Sequence, residues 1–95
     1  MHTDEYEISI SREVTVCRNI VARIKKNLEA FEIQSGITSA EFKSRVLAGD
    51  LSLDFREGKA WYEEIEALAV WQKRLADYEE ALRALKEERG APASR

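Results

Sequence analysis

The chain is short of almost every residue that does chemistry. It has one histidine, His2, in a polar stretch near the start, so a histidine-based triad or proton shuttle has no base held in a fold. It has one cysteine, Cys17, which excludes an intramolecular disulfide; with Val16, Ile20 and Val21 around it, the thiol reads as a small buried hydrophobe, at home in a reducing cytoplasm. Its four glycines are scattered as Gly36, Gly49, Gly58 and Gly90, so no glycine-rich phosphate loop opens a helix. The single proline, Pro92, leaves every earlier segment free to be helical. No apolar run reaches the length of a membrane span or a secretory leader, and His2 to Glu7 is polar and acidic, which points to a cytoplasmic protein off the membrane.

What remains is 95 residues with 44% hydrophobic and 35% charged side chains, enough for one small core and no second domain. The formal charge of −3 gives no general attraction to polyanions, which disfavours nucleic acid as a partner.

Tyr6, Ile8 and Ile10 alternate with Glu7, Ser9 and Ser11, the period of an extended segment, so residues 1–10 read as an arm lying along a helix or pairing with the same arm of a second copy. From Ser11 the period changes. Val14, Cys17, Val21, Ile24, Leu28 and Phe31 recur at intervals of three and four, which predicts an amphipathic helix over 11–35 with Ser11 as its N-cap and Gly36 as its left-handed stop. Thr38 followed by Glu41 has capping-box spacing and opens a short helix over 38–48, with Phe42, Val46 and Leu47 on one side. Leu51 to Phe55 reads as a loop tucking its leucines under the end of the bundle, and Asp54 with Glu57 repeats the capping spacing.

A long helix over 55–89 follows, its seam running Trp61, Leu68, Trp71, Leu75, Tyr78, Leu82 and Leu85 with Ile65 beside it, before a frayed tail over 90–95. The expected fold is therefore all-α, an antiparallel hairpin of two long helices with a short helix in the connection. Basic Arg12, Arg18, Arg23, Lys25 and Lys26 on the first helix face the acidic stretch Asp77 to Glu88 on the last in that arrangement. One opposing helix leaves surplus apolar surface on Trp61, Trp71 and Tyr78, which predicts a homodimer forming a four-helix bundle.

No catalytic, cofactor or metal residues emerge. Glu63, Glu64 and Glu66 spread over different faces of their helix and lack the Glu-x-x-His partners of bundle metal sites. The basic residues of the first helix spread around its outer half rather than forming a recognition edge. The candidate partner or dimer interface is Tyr6, Ile8, Ile10, Trp61, Trp71, Tyr78, Leu82 and Leu85, residues that serve equally well as core. The expected function is a non-enzymatic protein-protein interaction or oligomerisation protein, with nucleic-acid binding by the basic helix as an alternative.

Ser11-Arg12-Glu13, the phrase Gly36-Ile37-Thr38-Ser39-Ala40-Glu41-Phe42, Ala48-Gly49-Asp50-Leu51 and Trp61 resemble a group of small helical proteins of bacteria and archaea, over about Tyr6 to Leu85. The resemblance implies an antitoxin-like or accessory role beside a toxin partner, and supplies no catalytic or ligand-binding residues.

Overall fold

The structure, a computed structural model, describes residues 5–51 and 56–90, the last two by backbone alone. Three helices run in order: α1 over Glu5–Ser35, α2 over Ser39–Leu47 and α3 over Arg56–Gly90. At a rise of 1.5 Å per residue, the 35 residues of α3 extend about 52 Å, which accounts for most of the 57 Å length of a rod 20 by 19 Å across.

The long helices are antiparallel. Arg18 reaches Glu79, Asn27 reaches Glu64 and Phe31 stacks on Trp61, so α3 numbers fall as α1 numbers rise. The stripe facing α3 is Ile10, Val14, Cys17, Val21, Ile24 and Leu28, all buried, at alternating steps of four and three.

The expected extended arm is not found. Glu5 to Ile10 form the first turns of α1, and the remainder of the arm lies outside the described residues. Ile10 explains the difference, because it stands four residues before Val14 and is the first buried member of the helical stripe. A lone strand would leave its backbone amides without partners, whereas a helix satisfies them internally. Glu5 and Glu7 also suit the positive end of the helix dipole. Ser11 is consequently an interior residue rather than a cap, and its carbonyl accepts a hydrogen bond from the Thr15 hydroxyl at 3.3 Å.

The two stops are built on glycine. Gly36 has φ +84° and donates its amide to the Glu32 carbonyl at 2.8 Å, closing α1 with a left-handed residue that an L side chain rarely tolerates. At the end of α2, Gly49 has φ +83°, its amide bonds to the Val46 carbonyl, and the Asp50 amide returns to the Arg45 carbonyl at 2.8 Å. That is a complete Schellman ending.

The start of α2 is held from two sides. The Thr38 hydroxyl accepts from the Glu41 amide at 3.0 Å, as the capping spacing predicts. The reciprocal role expected of Glu41 is not filled; its carboxylate pairs with Arg45 at 2.8 Å instead. The second support comes from α1, where Glu32 accepts the Ser39 amide at 2.7 Å.

The Ser39 amide, and secondarily its hydroxyl, hold the Glu32 carboxyl below its ordinary range, against a smaller opposing effect of burial. A carboxyl depressed in the folded state stabilises it above the unfolded value, about 4.3, and this contribution is lost as pH falls through the lower folded value. Glu32→Gln keeps an amide oxygen for the Ser39 amide but removes the charge, and is therefore expected to destabilise the chain by about 1 kcal/mol at pH 7, the margin by which a hydrogen bond to a charged acceptor exceeds one to a neutral acceptor, with the difference shrinking below pH 4. Urea titrations of both proteins at pH 7 and pH 3 check this, and an undiminished difference at pH 3 would contradict it.

Phe42 is the one buried residue of α2, and it stacks on Trp61 with ring centroids 4.0 Å apart and planes 5° from parallel. Phe31 lies parallel to the same indole at 5.5 Å, and the indole Nε1 donates to the Ser39 hydroxyl at 2.9 Å. Trp61 thus joins all three helices. Ile24, Leu28 and Phe42 complete the buried cluster around it, with Ile37, Val46, Leu51, Tyr62, Ile65 and Leu68 packed on its margin. Leu51 tucks under as expected, while the rest of that loop and the Asp54 cap lie outside the described residues.

Candidate interaction surface

The two long helices share the core unequally. Every member of the α1 stripe is buried, whereas among the described side chains of α3 only Gly58 and Trp61 are, and Leu68, Trp71, Leu75, Tyr78, Leu82 and Leu85 are each half-buried. Side-chain size accounts for this. The α1 stripe is made largely of Val, Ile and Cys, so the larger indole, phenol and leucine groups of α3 reach past it and cover it while their own outer edges remain in solvent.

The eight candidate interface residues therefore separate. Ile10 and Trp61, at 4% and 5% exposure, are taken up by the core of the chain itself. Trp71, Tyr78, Leu82 and Leu85 share the half-covered seam of α3. Tyr6 and Ile8 are exposed on the first turns of α1. Ile8 lies on the outward face with Thr15, Ala22 and Glu29, away from the seam.

Helical position divides the surface along this seam into two flanks. On one, Arg18 bonds to Glu79 at 3.0 Å; both side chains are largely exposed, so the pair contributes about 0–1 kcal/mol. It joins α1 to α3 in the half of the hairpin away from Trp61. The broader pairing expected of basic α1 with acidic α3 is replaced by pairs inside α3, where Lys73 binds Asp77 and Arg83 binds Glu80 and Glu87.

The other flank carries small side chains. Asn27 donates to Glu64 at 2.8 Å across it, and Ala30 and Gln34 of α1 with Ala60, Glu63 and Ala67 of α3 line an open groove of about 580 Å³. These alanines carry little weight in a hydrophobic stripe and do not stand out in the sequence. Their seven-residue spacing, Ala60, Ala67 and Ala81 with Arg74 between, was the available signal. Farther along this flank Val16 and Val70 are each nearly half exposed, and the Arg74 guanidinium lies 4.6 Å above the Trp71 ring.

Cys17, 1% exposed, sits inside the seam, and burial first, then the nearby Glu13 charge, push its thiol up from the ordinary value. It packs as a small hydrophobe, as its neighbours in sequence suggest. Among the described residues no side chain that is polar or charged is buried, and no three His, Cys, Asp or Glu residues stand close enough to hold a metal ion. His2 lies outside the described residues. No helix among the described residues is long and apolar enough to cross a membrane.

The described residues thus define an all-helical hairpin with a short connecting helix. No family model, curated protein or solved structure matches the chain.

Proposed function

We propose that this chain is a non-enzymatic, helical protein-protein interaction module that acts as a homodimer, two hairpins forming a four-helix bundle. The observation that carries the reading is the unequal core: α1 spends its apolar stripe fully inside the chain, while α3 keeps a half-covered seam of large apolar side chains. A second hairpin laid along α3 would remove that surface from water, at roughly 25 cal/mol per Å² of apolar area. Small single-core domains commonly need such assembly.

Tryptophan quenching tests the reading. Trp61 is buried within the chain and Trp71 is half-buried, so a neutral quencher reports chiefly on Trp71. Dilution from hundreds of micromolar to below one micromolar is expected to raise the quenched fraction as dimers dissociate. Quenching that does not change with concentration, together with the mass of one chain throughout, would overturn the proposal.

A further inference from the structure

Resting on the homodimer reading, we infer that the second copy docks on the alanine-bearing flank of α3, antiparallel to it, in one register set by Glu63 and Arg74. Glu63, Ala67, Val70 and Arg74 follow one another at steps of four, three and four, so they form a single stripe along α3. An acid stands at one end, a base at the other, and two apolar residues between. Neither Glu63 nor Arg74 makes an ion pair within the chain among the described residues, whereas Lys73, Asp77, Glu79, Glu80 and Arg83 all do. Arg74 is nonetheless held in place, because its guanidinium rests on Trp71.

Such a stripe is complementary to itself under a twofold axis. A twofold contact repeats every pairing, so residue i on one copy meets j on the other and j meets i. With the axis between Leu68 and Ala69, Ala67 of each copy faces Val70 of the other. Glu63 then faces Arg74 at both ends, about 16 Å apart along the helix at 1.5 Å per residue. Small Ala67 lets the helices approach closely at the centre, and Val70, 49% exposed, fills the space opposite it. The result has an apolar middle and a charged rim, the usual anatomy of a protein interface. Moving the axis to Val70 itself would set Glu63 against Asp77, two like charges, and Ala67 against Lys73, so although Arg74 then meets Glu66 the adjacent register loses the apolar middle as well as one of its charge pairs.

Charge reversal tests the register separately from dimerisation itself. Sedimentation velocity is run on the unmodified chain, on Glu63→Arg, on Arg74→Glu and on the double variant, with circular dichroism confirming that each retains its helix content. Each single reversal creates two like-charge contacts per dimer and is expected to raise the dimer dissociation constant at least about tenfold at low salt, while the double variant restores it to within about threefold. A dimer indifferent to both single reversals, or one that the double variant does not recover, overturns this register and leaves the homodimer reading standing. A monomer for the unmodified chain at all concentrations overturns both.

Discussion

Trp61→Ala is expected to remove about 3–5 kcal/mol of stability, the usual cost of truncating a buried aromatic, against a total of about 5–15 kcal/mol for a folded domain. Three losses coincide at this position. The indole is 5% exposed at the centre of the buried cluster, it stacks on both Phe31 and Phe42, and its Nε1 hydrogen donates to Ser39. Truncation leaves a cavity where three helices meet and strips the Ser39 hydroxyl of its donor. Urea unfolding followed by circular dichroism at 222 nm measures the change, and a loss below about 1 kcal/mol would show that Trp61 is not the junction of the fold.

Phe42→Ala is expected to act differently, although its ring is as deeply buried. Phe42 is the only buried residue of α2, and nine residues are too few for a helix to persist alone in water. The chain can answer the loss by releasing α2 while α1 and α3 stay paired through Ile10 to Ile24. The expected result is that amides of Ser39 to Leu47 lose their protection in hydrogen exchange, while those in the middle of α1 and α3 keep theirs. The global cost then falls at or below the lower end of the 3–5 kcal/mol range for aromatic truncation. Equal loss of protection in all three helices would mean that α2 is integral to one cooperative unit. Because both substitutions remove the same stacking contact, their effects should be less than additive.

Much of this fold is legible in the sequence because local signals agree. The step pattern from Val14 to Leu28 marks the face that α1 buries, Gly36 sits where the backbone turns left-handed, and Thr38 caps α2 through Glu41 as its spacing foretells. The misreading falls on Tyr6 to Ile10, where five residues satisfy two periods at once. Alternation at 6, 8 and 10 looks extended, yet Ile10 also begins the helical stripe, and tertiary burial of that residue decides between them.

Glu32 could not be identified as a support for α2, since its partner Ser39 lies across a turn whose geometry the sequence does not display. The candidate surface is legible only in outline. Both long helices carry an apolar stripe, but which stripe is covered follows from side-chain size across the pair, a three-dimensional property. The alanine flank is fainter still, because an alanine reads as weakly apolar until its spacing is placed beside Glu63 and Arg74.

The half-covered seam of α3 makes self-association the claim on which the functional reading depends, and sedimentation equilibrium of the unmodified chain tests it most directly. Across tens to hundreds of micromolar the expected mass approaches twice the 10.9 kDa of the chain, falling toward one chain on dilution. A single ideal species of 10.9 kDa over the whole range would contradict it.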